Sequence, residues 1–404
     1  MSFFRISDFG ALGDGISNNT RAIQAAIDSC DFGGTVIIPK GRFVSGALFL
    51  KSNMTLLLEP DAQLIGSEFL EDYPVIKYRF EGEEQECYAS LINTKGGTHS
   101  NIIITGGGTI DANGVVLCAL ELKKNKYKRG RAICIRNTNN VSISNIVVRQ
   151  SPAWCLHIVY CSDVIIDNVR ISTKYGEDGE EYKGIINGDG LVVDSCSNVR
   201  IINSTISSQD DCIAIKSGKN EEGRIIGIPS SSIHIENCTF ICGGGVALGS
   251  EMSGDIFDVF VRNCSFKNVL SILSVKTVRG RGGTIRNIHV ENCSLHDDDR
   301  KIFHNRVHHG IIYIDAFYKQ PFADKDLFHR IDDGTPTLTD LYFDKIRIYT
   351  VFGNAIYVCG LPERCFSNIF LNNLDAICEQ DYFIKNVATI EFTNTEIRRI
   401  SGNA

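Results

Sequence analysis

The chain has 404 residues, 43% of them hydrophobic and 22% charged, with a net charge of -7 at neutral pH. This is the balance of an ordinary globular protein able to bury a large core, and its acidity argues against nucleic acid as a partner and against capture of a long polyanion by bulk attraction. There is no apolar run of about eighteen residues and no basic-then-apolar leader, so neither a membrane span nor a signal peptide is expected. Fifteen cysteines is an odd total. Most sit in strand-like segments, which suits small buried hydrophobes better than disulfide staples and points to a reducing, cytoplasmic location.

The first recognisable element is a helix over Asn19 to Cys30. Asn19 or Thr20 is placed to cap its N-terminus, and Ile23, Ala26 and Ile27 form an apolar stripe at helical spacing. Further along the chain one phrase recurs: Asn, Asp or Ser, then a β-branched run, then Asn. It appears as Asn140-Val141-Ser-Ile-Ser-Asn145, Asp163-Val164-Ile-Ile-Asp-Asn168, Asn198-Val199-Arg-Ile-Ile-Asn203 and Ser232-Ile233-His-Ile-Glu-Asn237. It continues as Asp258-Val259-Phe-Val-Arg-Asn263, Asn287-Ile288-His-Val-Glu-Asn292 and Asn368-Ile369-Phe-Leu-Asn-Asn373. Apolar and polar residues alternate within each phrase, so each is a short strand with one face inside. The intervals between phrases are unequal and no helical pattern fills them, which excludes a βαβ sheet and leaves a constant coil with loops of varying length.

Strands stacked coil upon coil bury a core that no single repeat forms alone. The predicted fold is therefore all-β: a right-handed parallel β-helix, a pectin-lyase-like solenoid, with a short N-terminal capping helix over the open end. The expected organisation is one domain over 1–404, with a cap region at 1–35 and coils over 36–404, since no linker-like composition interrupts it. The pairs Asn237-Cys238, Asn263-Cys264 and Asn292-Cys293 then predict an asparagine ladder at a bend with a cysteine stack inside it.

Two acidic signatures stand out, Asn187-Gly188-Asp189-Gly190 and Gln209-Asp210-Asp211-Cys212. Asp-Gly and Asp-Asp are common turn residues. Here, however, the two signatures lie one repeat apart, so a solenoid stacks Asp189, Asp210 and Asp211 on one wall about one inter-strand distance (~4.8 Å) apart. Glycoside hydrolysis needs a proton donor and a carboxylate to handle water, and clustered carboxylates raise the donor's pKa by repulsion. The segment from His296 to Asp299 with His304, His308 and His309 matches no metal-ligand spacing and is predicted to be a solvated loop. No metal or cofactor is called for.

These motifs carry a resemblance across nearly the whole chain. Asp8-Phe-Gly-Ala-Leu-Gly-Asp-Gly15, Ser151-Pro-Ala-Trp-Cys-Leu-His157, the two acidic signatures, Cys212-Ile-Ala-Ile-Lys-Ser-Gly218 and Gly245-Val-Ala-Leu-Gly-Ser-Glu-Met-Ser-Gly254 resemble the polygalacturonase family of glycoside hydrolases, family 28. The resemblance implies an inverting glycosidase with Asp210 as general acid and Asp189 and Asp211 activating water, and with Asn187 orienting Asp189 or a sugar hydroxyl. His157, Trp154, Lys276, Lys216 and Gly244 are the further expected substrate-binding positions.

Two departures bear on the substrate. Polygalacturonases carry a His between glycines where this chain has Gly243-Gly244-Gly245, and Arg-Ile-Lys where it has Ser274-Val275-Lys276. The absent Arg would pair with a leaving-side carboxylate, a bidentate contact that Ser does not replace. Rhamnogalacturonan hydrolases of the same family resemble the chain in both respects, although they usually pair Asp with Glu where this chain has Asp210-Asp211. The expected activity is hydrolysis of α-galacturonosyl bonds in pectic oligosaccharides with rhamnose on the leaving side. The alternatives are an exo- or endo-acting polygalacturonase on α-1,4-galacturonan, a lyase, which would need calcium and a basic residue, and a non-catalytic carbohydrate-binding β-helix.

Overall fold

The computed structural model describes residues 2–122, 126–176, 178–297, 309–350 and 353–400. Asp298, Asp299, His304 and His308 of the predicted solvated loop lie outside the described residues. The chain is a parallel β-helix, and it divides into two compact units, Met1–Phe80 with Glu84–Asp210 and Glu81–Glu83 with Asp211–Ala404. The same strand repeat builds both units.

In the first unit, the helix Thr20–Ser29 buries Ile23, Ala26 and Ile27 completely. The expected cap is replaced, because Asn19 makes no capping bond. Its Oδ1 accepts from the Leu12 N–H at 2.7 Å and its amide donates to Ser17 O at 2.7 Å, so it ties down the preceding loop. The Thr20 N–H is taken instead by Asn18 Oδ1 at 3.0 Å. Beyond the helix, strands Thr138–Ser144, Ser162–Asp167 and Ser197–Ile202 pair in parallel with Val141 opposite Val164 and Val164 opposite Val199, the anchors of three successive phrases. A second parallel ladder joins Ile133–Arg136, Leu156–Val159 and Leu191–Asp194. Parallel neighbours joined through one sheet are almost always connected right-handedly, which sets the hand of the coil.

In the second unit the long strands Ser230–Glu236, Ile256–Arg262, Thr284–Asp297, Thr337–Thr350 and Ser367–Cys378 align Ile233, Val259, Ile288, Leu341 and Ile369 in one buried column. A shorter ladder runs through Ile213–Lys216, Val246–Gly249, Leu273–Lys276, Gly310–Asp315 and Asn354–Cys359.

The bends explain the recurrent asparagines. Asn237, Asn263 and Asn292 have φ of 56°, 54° and 51°. This left-handed conformation costs most L-residues about 1–2 kcal/mol, and Asn is among the few that adopt it readily. The Asn292 amide donates to Asn263 Oδ1 at 2.7 Å. Cys238, Cys264 and Cys293 follow inside, all buried. A second ladder stands at the start of each phrase, where Asn198 donates to Asp163 at 2.6 Å, Asn287 to Asp258 at 2.5 Å and Asn368 to Asp340 at 2.8 Å.

Candidate active site

The residues singled out from the sequence fall at the turns that lead into, and at the ends of, the short strands. In the first unit Asp189 sits two residues before the strand Leu191–Asp194, and it is only 3% exposed. Its carbonyl accepts from the Cys155 N–H at 2.8 Å, which fixes the turn to the coil before it. Asn187 takes the left-handed conformation that lets the chain reverse, and its carboxamide oxygen accepts from Arg129 Nη2 at 2.9 Å. The same nitrogen donates to Ile186 O at 2.9 Å, so one buried guanidinium holds both the backbone and the side chain of the motif.

Gly188 joins the two signatures. Its carbonyl accepts from the backbone N–H of Gln209 at 3.2 Å and of Asp210 at 3.3 Å, and from the Thr173 hydroxyl. Its own N–H donates to Gln209 Oε1 at 3.1 Å. A Cβ at this position would lie 3.0 Å from both Gln209 Cβ and Ile185 Cγ2, so a side chain would push the turns apart. Asp210 is half-buried and therefore reaches solvent, unlike Asp189.

In the second unit Asp211 takes the position, two residues before the strand Ile213–Lys216, that Asp189 takes before its own strand. Asp211 accepts from Lys276 Nζ at 2.6 Å, and the two side chains are 6% and 4% exposed. Gly244 faces the other carboxylate oxygen: a Cβ there would stand 2.3 Å from Asp211 Oδ1 and 3.0 Å from its Cα. The missing side chain is thus a condition of the carboxylate's placement. Lys216 ends the strand after Asp211 and is likewise paired, with Glu251 Oε2 at 2.8 Å. Burial pushes the Glu251 carboxyl upward, but the charge and hydrogen bond of Lys216, with the charge of Arg281, outweigh it and hold the group down at about 2. Ser274 is fully buried with its hydroxyl donating to Val246 O at 3.5 Å, so it offers nothing to a sugar carboxylate.

Two expected sugar contacts lie in the interior of this structure. Trp154 is 2% exposed and His157 fully buried. Trp154 does lie one coil before Asp189, as the register Leu156 opposite Leu191 requires. The strand Val75–Phe80 covers this face: Phe80 stacks on Trp154 at 5.2 Å, and Arg131 lies 5.1 Å over the same indole. His157 packs edge-on against Trp154 at 5.0 Å, with its Nδ1 3.7 Å from Cys134 Sγ. Burial lowers its pKa to about 4, against the opposing hydrogen bond to Asp194, so the ring is neutral near pH 7. Both residues pack among buried neighbours.

Sequence reasoning missed Arg129, Thr173 and the pair Glu251 and Arg281. Arg129 belongs to a basic run from Lys123 to Arg131 that reads as surface charge. Its partner Asn187 is 58 residues away, and no local pattern links them. Among the described residues, no group of three or more His, Cys, Asp or Glu side chains is arranged to hold a metal ion.

The profile of the family described as Glycosyl hydrolases family 28 matches residues 36–309. The chain belongs to that family. Its relatives include a probable polygalacturonase of Vitis vinifera, 35% identical over 302 residues, which are 71% of this chain and 60% of that protein. An exo-poly-alpha-D-galacturonosidase of Dickeya chrysanthemi is 28% identical over 337 residues, 72% of this chain and 54% of that protein. The family 28 chain thus spans somewhat more than half the length of these two relatives. The crystal structure of a hyperthermoactive exopolygalacturonase from Thermotoga maritima matches with a TM-score of 0.82 at 25% identity, over 99% of this chain and 92% of that one.

Proposed function

We propose that this chain hydrolyses α-galacturonosyl bonds of pectic oligosaccharides with inversion, Asp210 giving its proton to the leaving oxygen and Asp189 and Asp211 activating the water. The observation that supports this most directly is the bond from the Asp210 N–H to Gly188 O at 3.3 Å, which brings the turn of the acid against the turn of Asp189. Exposure fits the division of roles. Asp210 is half-buried and accessible to a leaving group, whereas Asp189 and Asp211 are 3% and 4% exposed. An ammonium at 2.6 Å favours the ionised form of Asp211, as a base requires. Asn187 orients the turn of Asp189. A reducing compartment accords with the buried free thiols.

On the leaving side we favour rhamnose, because neither Ser274, buried and bonded to backbone, nor Gly244 supplies a partner for a second carboxylate. The names of the relatives favour a second reading, removal of galacturonate from galacturonan. The test is product analysis by mass spectrometry on oligogalacturonides and on rhamnogalacturonan oligosaccharides, using wild type and Asp210→Asn. Release of galacturonate from the rhamnose-linked set alone, reduced by about 10²–10⁴-fold in the variant, is the expected result. Comparable turnover of oligogalacturonides would remove the rhamnose reading and leave the hydrolase, while inactivity on both sets would remove the hydrolase.

A further inference from the structure

We infer that Asp315 is a specificity-determining residue of the leaving side, one that accepts hydrogen bonds from the hydroxyls of a neutral sugar and disfavours a uronate, an inference that rests on the hydrolase reading above. Asp315 lies on the coil after Lys276, an expected substrate-binding position. Successive side chains of a strand point to opposite faces, so Ser274 and Lys276 share the face turned away from the buried Leu273 and Val275. The next strand sets Tyr313 opposite Ser274 and Asp315 opposite Lys276, one inter-strand distance (~4.8 Å) further from the strand that follows Asp211.

The sign of the charge reverses between these two coils. Lys276 Nζ lies 2.6 Å from Asp211 Oδ2, on the side of the earlier coils. Asp315 accepts from two neutral groups, the Tyr313 hydroxyl at 2.7 Å on Oδ2 and the Phe317 N–H at 3.0 Å on Oδ1. It is 6% exposed, close to the 4% of Asp211. A carboxylate this deep is ordinarily held by a cation. Here burial raises its pKa above the usual carboxylate value, against those two hydrogen bonds and the charges of Lys325 and His309. Lys325 Nζ itself donates to the Tyr357 hydroxyl at 2.8 Å, one coil beyond Asp315.

A uronate on this coil would cost either repulsion between two carboxylates or uptake of a proton, because a second anion pushes the pKa of Asp315 higher still. To a neutral sugar the same oxygens are acceptors, and a hydroxyl donating to an ionised carboxylate makes one of the stronger hydrogen bonds available. The rings beside Asp315 suit the apolar part of such a sugar. Tyr313 and Tyr357 have centroids 5.5 Å apart, and Tyr357 stacks on Phe383 at 4.8 Å. Rhamnose carries a methyl group where galacturonate carries its carboxylate, so aromatic carbon and an acceptor stand on the side where polygalacturonases place a guanidinium. Discrimination then comes from an unfavourable contact with one sugar as well as favourable contacts with the other.

The test measures kcat/KM of wild type, Asp315→Asn and Asp315→Ser on rhamnogalacturonan oligosaccharides and on oligogalacturonides of matched length. The readout is the ratio of the two specificity constants, because a purely structural role lowers both alike. In both variants the ratio should move toward oligogalacturonides by about 10–100-fold. In Asp315→Asn the value for oligogalacturonides should rise outright, while that for the rhamnose-linked set falls by about three- to tenfold, mostly through KM. A ratio within about twofold of wild type in a folded variant would overturn the inference and leave the hydrolase standing. Failure of both variants to fold would assign Asp315 to the scaffold and overturn it as well. A wild type inactive on every pectic substrate would overturn the inference and the hydrolase together.

Discussion

Two buried ion pairs in this molecule look alike and sit at opposite ends of their short strands. In the first unit Arg79 pairs with Asp194 at 3.0 Å, both side chains wholly inaccessible, and Arg79 also donates to Ser195 Oγ at 2.9 Å. In the second unit Lys276 pairs with Asp211 at 2.6 Å, with both side chains slightly open to solvent. The difference is position along the short strand. Asp194 ends its strand, where its carboxylate holds the Arg79 guanidinium of the segment Val75–Phe80 and lies 3.7 Å from His157 Nε2. Asp211 lies in the turn that leads into its strand, with its side chain 6% exposed beside Lys276. The lesson is that burial and pairing alone do not separate a carboxylate of the proposed site from one of the core; its place in the turn does.

The sharpest break of this comparison is Arg79→Met, which strands the Asp194 charge in the core. It should cost about 3–5 kcal/mol in denaturant unfolding, and Arg79→Met with Asp194→Asn should recover most of that, with turnover per folded molecule little altered throughout. The next effect is catalytic rather than structural. Gly244→Ala places a methyl 2.3 Å from Asp211 Oδ1, so the carboxylate must swing off Lys276. Turnover should fall about 10²-fold with little change in melting temperature. Gly244→His should behave at least as badly, showing that the polygalacturonase histidine cannot simply be restored in this background.

The smallest effect sharpens the comparison with a third pair, Lys216 and Glu251. Glu251 titrates near 2, below its ordinary value of 4.5, so its ionised form contributes stability that is fully present above about 4.5 and is lost as pH falls toward 2. Glu251→Gln should lower stability by on the order of 1–2 kcal/mol at pH 7. That gap, read from urea midpoints, should stay constant down to about pH 5 and then close as the wild type protonates. A gap that widens in acid would contradict the pairing.

Much of the fold was legible because a solenoid repeats its local signals. The phrase anchors Val141, Val164 and Val199 pair in the register read from the sequence, as do Ile233, Val259 and Ile288. The β-branched alternation and the left-handed asparagines are short-range features, and they survive into the structure unchanged. The environments of Trp154 and His157 were not legible. Whether a strand's outer face is solvent, cleft or core depends on what crosses it, and Val75–Phe80 gives no local sign of lying over residues some eighty positions later. Asn19 failed as a cap for a related reason, since a loop carbonyl and N–H out-competed the helix for its amide. At the site, the acidic motifs and Lys276 were visible, but the pairings that support the motifs were not. Arg129 and Lys276 reach Asn187 and Asp211 across 58 and 65 residues, and side-chain pairing at such range leaves no periodicity to read.

The amide ladders at the bends have a direction. Asn101 donates to Asn53, Asn140 to Asn101, Asn198 to Asp163, Asn287 to Asp258 and Asn368 to Asp340, each from the later coil to the earlier. Asp163, Asp258 and Asp340 each occupy a rung as receivers of the next rung's hydrogen, so a bend carries a charge where its successor carries an amide. The column is thus a one-way sentence with a rule of agreement. Replacing Asn198 or Asn287 by Asp would set two carboxylates face to face, against Asp163 or Asp258, and exchange one hydrogen bond of the column for a repulsion.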